Sequence, residues 1–316
     1  MCTAGRLAGE YRDGIAIAVE PCVRPRLPLV LLLVTTFAFA GTASARRRAV
    51  RQLDPRPIRH VFVLIMENGD ADEVLARPFV KRLAEEGALL ANYHGITHPS
   101  QPNYIALTAG STWGVTDDAT ATLDVPHIGD LFDAAGLPWR VYVENYPGNC
   151  SLVHNADNGL YVRRHVPFLG YVNVQSNRER CNRSVVDATR LDADIAAGSL
   201  PAFAFYVPNQ QHNGHDTDGD TADAWMESRF GPLLRDHRFT DDTLFVLTYD
   251  ESERTSLTRV ATVFHGAGVI PGAQTTLRYD HYDLLRTIED LFHLGTLGKN
   301  DASEGELIRE VFNVTQ

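Results

Sequence analysis

Positive charge is scarce in this chain. Only 29 Lys and Arg stand against 40 Asp and Glu, a formal net charge of -11 at pH 7. The cationic clusters, Arg46-Arg47-Arg48 and Arg163-Arg164, are too small to line a groove. Nucleic acid is therefore not an expected partner. Cysteine is scarcer still, with four in 316 residues and only Cys150 and Cys181 beyond Arg46. Their spacing is unlike a C-x-x-C zinc site, and two cysteines in an exported chain suggest one disulfide. No Gly-x-Ser-x-Gly is present, which excludes the strained serine elbow of the α/β-hydrolases. Internal repeats are absent as well.

The N-terminus reads as a targeting segment. Arg24 and Arg26 precede the apolar run Leu27 to Val34, which continues to Ala40, and Ala43-Ser44-Ala45 offers a small-residue cleavage site. The strongly apolar core is shorter than the ~20 residues a membrane span needs, so a signal peptide cleaved near Ala45 is expected, with export and no stable membrane insertion afterwards. Glu10, Asp13 and Glu20 are foreign to a signal n-region, and Val23, read from an alternative initiation codon, is the expected start. The expected organisation is a signal region over 1–45, a linker over 46–57 and one domain over 58–316, because candidate residues spread from Glu67 to His281 must meet.

What is present is a set of buried-strand runs that end in polar residues. His60 to Met66 is uninterrupted and apolar beyond its first residue, and it stops at Glu67-Asn68. Thr243 to Tyr249 stops at Asp250-Glu251, and Ala202 to Val207 leads through Pro208-Asn209 to His212, His215 and Asp216. Such runs suit strands buried on both faces of a parallel sheet. In open α/β sheets ligands bind at the carboxyl ends of strands, where carboxylates and amides offer hard oxygen donors to a divalent cation. Ser100 lies between Pro99 and Pro102 ahead of the apolar run Ile105-Ala106-Leu107. The prolines restrict the backbone around it, and a hydroxyl at a helix start suits phosphate chemistry. For an isolated Ser-x-Pro the alternative is an ordinary N-cap serine.

Helices are expected over Ala76–Glu86, Ile128–Ala135 with Gly136 as its stop, Asp187–Ala197, Ala222–Arg235 and Tyr282–Leu291. Further strands are expected over Trp139–Val143, ending at Glu144-Asn145, and Ala261–Phe264. Alternation of strand and helix predicts an α/β three-layer sandwich, a mostly parallel sheet with helices on both faces. The acidic run Asp216 to Asp220 lacks the closing Glu of a calcium loop and reads as a solvated loop.

Five segments together carry a resemblance: Met66-Glu67-Asn68, His98-Pro99-Ser100-Gln101-Pro102-Asn103-Tyr104, Pro208-Asn209 through His215-Asp216, Tyr249-Asp250-Glu251, and His281-Tyr282 with Leu284 to Glu289. In this order they resemble the bacterial phosphoesterase family of the alkaline phosphatase superfamily, which includes secreted acid phosphatases, some acting on phosphoinositides, and phospholipases C. The resemblance implies an alkaline phosphatase-like fold. It also implies Ser100 as nucleophile, Glu67, Asn68, Asp250 and Glu251 as ligands of one or two divalent metal ions, and His215, Asp216 and His281 completing the metal and phosphate site. His98 would lie near the phosphate. Oxygen donors favour magnesium, calcium or manganese, and the histidines would shift preference toward zinc or iron. His212 is an addition to the family pattern and is not expected to be a ligand. The sulfatase branch is disfavoured, because Tyr104 stands where it needs arginine.

The expected function is a secreted metal-dependent phosphomonoesterase acting on a small-molecule or lipid phosphate ester, phosphoinositides among the candidates, with an acidic pH optimum by family analogy. The alternatives are a phospholipase C-type phosphodiesterase and a non-catalytic exported module that binds calcium or carbohydrate.

Overall fold

The apolar run after His60 forms strand β1 (His60–Met66) near the middle of an eight-stranded sheet. The other strands are β2 (Ala88–Leu90), β3 (Trp139–Val143), β4 (Val185–Asp187), β5 (Phe203–Val207), β6 (Thr243–Tyr249), β7 (Val263–Gly266) and β8 (Ala273–Thr275). Their spatial order is β8-β2-β7-β6-β1-β5-β3-β4. This computed structural model describes residues 58–313, so the expected signal peptide, its cleavage near Ala45, the start at Val23 and the linker lie outside the described residues. Among the described residues no helix is long and apolar enough to cross a membrane.

β1 pairs in parallel with β6 on one side and β5 on the other, placing Val61 opposite Leu244 and Phe203. From Val61 to Met66 every residue is buried, which is why the run shows no polar alternation. Around Phe62 the rings of Phe245, Phe230 and Phe239 pack at 5.7–6.0 Å. Phe230 belongs to the helix Gly219–Leu234, which packs with the helix Pro78–Glu86. The helices Ser100–Ala109 and His281–Leu291 form a second packed pair. The expected sandwich, a mostly parallel sheet with helices around it, is thus observed.

Two local differences have physical reasons. β7 runs antiparallel to both β6 and β2, because no helix intervenes between Tyr249 and Val263 to carry the chain back for a parallel pairing. The stretch expected to be helical from Asp187 begins instead as β4. Its β-branched Val185 and Val186 pair with the edge of β3, and the helix starts only at Arg190.

Cys150 and Cys181 are joined, with Cα atoms 5.8 Å apart and a sequence separation of 31. Next to Cys181, Arg180 donates to Asp133 at 2.9 Å and to Asp130 at 2.7 Å, tying this segment to the helix Ile128–Ala134. Of the acidic run, Asp218 caps the helix Gly219–Leu234 and Asp220 pairs with Arg77.

Candidate active site

β1 and β6 deliver their terminal acids side by side. Asp250 N–H donates to Met66 O at 3.0 Å, Gly69 N–H to Glu251 O at 2.9 Å, and Asn68 N–H to Asp250 Oδ1 at 3.2 Å. Asn68 turns the chain with a left-handed φ of 52°, a conformation that asparagine tolerates. A Cβ on Gly69 would fall 2.1 Å from Tyr249 Cδ1, so only glycine lets the turn close against β6. Glu67, Asp250 and Glu251 are all buried.

Between these acids sits Ser100. It is the first residue of its helix and not the cap, a place taken by Pro99 with no side-chain hydrogen bond to the helix end. Ser100 Oγ instead lies 3.1 Å from Glu67 Oε2 and 3.0 Å from Glu251 Oε1. The rest of the motif holds that hydroxyl still. Asn103 accepts from Ile96 and Thr97 N–H at 2.8 and 3.0 Å and donates to Thr97 O and Pro99 O. Gln101 accepts from Ala121 N–H and donates to Asp117 O, both at 3.0 Å. Tyr104 donates to Glu67 Oε1 at 2.5 Å.

The electrostatics are those of crowded anions. Burial pushes the Glu67 carboxyl up to about 8, with the charge of Glu251 adding to it. Asp250 is driven well above the carboxylate range by burial, then by Glu67 and Glu251. Glu251 is raised by burial and partly relieved by His98. Asp250 Oδ2 has no hydrogen-bond partner. One serine hydrogen cannot serve two carboxylates at once, so the cluster is short of positive charge or of protons. A divalent cation fits that deficit, and the oxygen donors of Glu67, Asn68, Asp250 and Glu251 suit a hard ion. Among the described residues no three His, Cys, Asp or Glu side chains are arranged to hold a metal by themselves. The set expected from the sequence includes an amide, that of Asn68, beside the carboxylates.

The histidines divide into three roles. His98 faces Glu251 Oε2 through Nδ1 and Leu257 O through Nε2 at 2.8 Å, so it stands beside Ser100. His215 lines the same cleft of about 220 Å³ as Glu67 and Asn68. Its Nδ1 meets Asp216 Oδ1 at 2.7 Å, a bond that turns Nε2 outward as an acceptor. Asp216, expected among the metal ligands, is more than half exposed and orients His215, apart from the acid cluster. His281, expected at the phosphate, is fully buried. Nε2 donates to Asp250 O at 2.7 Å and Nδ1 accepts from Tyr93 at 3.0 Å, so both ring nitrogens are occupied and the residue positions the end of β6. His212 pairs with Glu144 Oε2 at 2.6 Å and stacks on Trp225 at 4.9 Å.

Three residues near Ser100 escaped the sequence reading. Tyr104 lies in the serine motif, and the sequence alone gives it no role. His165 stacks on Tyr104 at 5.2 Å with Nε2 3.1 Å from Glu67 Oε1, without the alignment of a hydrogen bond. Burial holds its imidazole well below the usual range, hence neutral. Arg164 reaches His215 Nε2 with Nη2 at 3.5 Å. Both come from a single turn, Arg163–His165, in a strand-poor stretch where only the dipeptide Arg163-Arg164 signalled anything.

Known proteins bear on this arrangement. The Phosphoesterase family pattern matches residues 74–295, a span that begins after Glu67-Asn68 and takes in the other four segments. A probable acid phosphatase of Kluyveromyces lactis is 32% identical over 87% of this chain and 68% of its own length. A phosphatidylinositol-3-phosphatase of Mycobacterium tuberculosis is 31% identical over 76% of this chain and 78% of its own. Among solved structures, an alkaline phosphatase superfamily protein of Vibrio parahaemolyticus superposes with a TM-score of 0.55 at 12% identity, covering 78% of this chain and 70% of that one. This last likeness concerns the fold. The chain spans about two thirds of the length of the Kluyveromyces relative.

Proposed function

The chain belongs to the Phosphoesterase family, and from that premise we propose that it is an exported acid phosphatase that cleaves phosphate monoesters through Ser100 with the aid of a divalent cation. The observation that carries this reading is the Ser100 hydroxyl set between Glu67 and Glu251 at the joint carboxyl edge of β1 and β6. A capping serine has no need of two buried carboxylates.

In the proposed reaction Ser100 Oγ forms a bond to phosphorus in line with the ester oxygen, and the P–O bond to the leaving alkoxide breaks. The hydroxyl hydrogen passes to a flanking carboxylate, and the alkoxide takes a proton from solvent. Water then cleaves the phosphoserine, and the flanking carboxyl returns its proton to the departing serine oxygen, which releases inorganic phosphate and restores the hydroxyl. Glu67, Asn68, Asp250 and Glu251 would hold the cation, which would supply charge neutralisation at the phosphoryl oxygens and a lower hydroxyl pKa. Tyr104 and Asn103 keep Glu67 and the serine loop in register, and His281 keeps the Asp250 carbonyl in place. His98, held by Leu257 O through Nε2, faces Glu251 Oε2 through Nδ1.

Export rests on the N-terminal sequence and agrees with the Cys150–Cys181 bond. Inositol phospholipids belong among the candidate substrates because the mycobacterial relative is named for one. The test uses p-nitrophenyl phosphate, its phosphocholine diester and a chelated control. Hydrolysis of the monoester, lost on chelation and restored by added magnesium or manganese, is expected. Full turnover by metal-free protein would overturn the metal assignment, and faster cleavage of the diester would favour the phospholipase reading.

A further inference from the structure

The turn Arg163–His165 is built as a bracket around a buried cation. The Arg163 guanidinium donates to Leu152 O at 2.9 Å and Leu169 O at 3.0 Å, and its backbone N–H donates to His154 O at 2.8 Å. These bonds join both sides of the loop, but they bring no negative charge. Among the described residues two arginines are buried, Arg163 at 8% exposure and Arg180 at 9%. Arg180 has two carboxylates, Asp130 at 2.7 Å and Asp133 at 2.9 Å. Arg163 donates only to carbonyls, and its Nε is buried without a hydrogen-bond partner.

The surroundings do not supply the missing charge. The phenol of Tyr161, which interacts electrostatically with Arg163, is pushed up by burial and stays neutral, and its hydroxyl has no partner either. Asp118 is taken by the other cation of the turn, Arg164, at 3.6 Å. Asp117 is exposed and accepts from Ala119 N–H at 3.0 Å. Two guanidiniums and one paired carboxylate leave one positive charge over. Burial lowers the pKa of Arg163 from the usual guanidinium value, the direction expected of a cation held away from water and from anions. An isolated charge in a low-dielectric interior is costly, so buried charges are ordinarily paired.

Arg163 and Arg164 border a small cavity of about 10 Å³, closed by Gln101, Thr120 and the apolar Leu123 and Val166 among others. That is room for about one water-sized sphere. Ser100, Glu67 and Asp250 take no part in its walls. We propose that this cavity binds one monovalent, monatomic anion, a halide such as chloride, as the counter-ion of Arg163. A water molecule would fit the space and leave the charge unmatched. Phosphate or a carboxylate is too large for it, and a multiply charged ion would lose more hydration on burial than one guanidinium returns. Held there, the halide closes the bracket from within and steadies the turn. The inference does not depend on the phosphatase reading.

The experiment measures the melting temperature of the parent and of Arg163→Gln as sodium chloride replaces sodium gluconate at constant ionic strength and constant magnesium. Gluconate is too large for the cavity. The parent should melt about 5 °C higher at saturating chloride, along a curve that levels off as a binding site fills. Bromide should replace chloride. Arg163→Gln should show no such rise, whatever its own starting temperature. Parent crystals grown with bromide should show anomalous scattering beside Arg163 Nε, a readout that stands even if the variant does not fold. Equal melting in gluconate and chloride would overturn the inference, as would a water without anomalous signal at that place. A bromide peak without the melting response would mark an adventitious ion only, and would overturn it too.

Discussion

β1 ends in Glu67-Asn68 and β3 ends in Glu144-Asn145, and in both the asparagine turns the chain with a left-handed φ, 52° and 56°. The two carboxylates meet opposite surroundings. Glu144 accepts from Tyr206 at 3.0 Å, from Asn209 N–H at 3.0 Å and from His212 at 2.6 Å. Each of its oxygens has a donor. Glu67 has the donors Tyr104 and Ser100, but it faces Glu251 and Asp250, and burial drives its carboxyl upward. The strand-end Glu-Asn pair is thus a way of turning a buried strand, and it is not in itself a site. What differs is the neighbouring strand. β6 brings two more acids to Glu67, whereas β5 brings a backbone amide and a phenol to Glu144. Reactivity here comes from unmet electrostatic demand, and stability from demand that is met.

The largest effect should come from the side of unmet demand. Ser100→Ala is expected to cut turnover at least about a thousandfold, since nucleophile deletions of this kind remove the covalent step. Its melting temperature should change little, because Ser100 makes no helix-capping bond. A variant that kept near-parental hydrolysis of p-nitrophenyl phosphate would return Ser100 to a structural role. Asp250→Asn should lower metal content and turnover together, measured by elemental analysis and rate on one sample.

These two regions also show how far the sequence could be read. β1, β5 and β6 were legible because runs of four to six consecutive apolar residues, lengthened in β6 by flanking threonines and a tyrosine, suit burial on both faces. The serine motif was legible because proline constrains a backbone in a known way. β2, β4 and β8 were not legible. Three residues carry no period, and their pairing is decided by which sheet edge is free. At the site, the acids could be placed from strand ends and Ser100 from its prolines at a helix start, and the family resemblance joined them in one site. Arg164 and His165 could not, because they arrive from a short turn whose position is set by Arg163 bonds to carbonyls at both ends of a loop. Asp216 is expected from the sequence among the metal ligands, and His281 in the metal and phosphate site. They hold His215 and the Asp250 carbonyl, a distinction that depends on where each ring nitrogen points.

The loop that presents Arg164 supplies the next test. Cys150→Ser with Cys181→Ser removes a bond that closes about thirty residues, worth about 3 kcal/mol in the chain-entropy model. The urea midpoint should fall accordingly. Turnover should fall more than Ser100's own surroundings would explain, because the Arg163 bracket is anchored through Leu152, two residues from Cys150. An unchanged midpoint would show that Arg180 and its two aspartates suffice to hold the segment.

A buried acid outside the site sharpens the same contrast. Glu289 is buried beside Asp301, its Oε2 has no partner, and burial followed by the Asp301 charge pushes its carboxyl up to about 9. With a folded value above the unfolded one, the neutral form favours folding. That contribution is complete below the unfolded value near 4.5 and is lost as pH rises through the folded one. Between pH 5 and 7 it should amount to about 2 kcal/mol, by the 1.36 kcal/mol per unit of linkage. Glu289→Gln should flatten the dependence of the urea midpoint over that range while leaving monoester turnover at the parental level. A slope unchanged by the substitution would place the titrating group elsewhere.

The smallest effect, and the one that bears most directly on the comparison, is Glu144→Gln set beside Glu67→Gln. The shapes are nearly preserved, so each variant asks only what the second carboxylate oxygen was doing. At Glu144 that oxygen accepts from Asn209 N–H and His212, and an amide NH₂ turned toward them would oppose donor to donor. The cost should be about 1–2 kcal/mol of stability, typical of a disturbed buried acceptor. Turnover should stay within a few fold, because none of its partners touches Ser100. At Glu67 the same change removes one of several mutually repelling charges, so stability in chelator should hold or rise while turnover collapses. Melting temperature and rate, measured on both variants from parallel preparations, should therefore move in crossed directions. If Glu144→Gln instead lost activity without losing stability, the second Glu-Asn end would be part of the reactive site, and the division drawn between the two strand ends would fail.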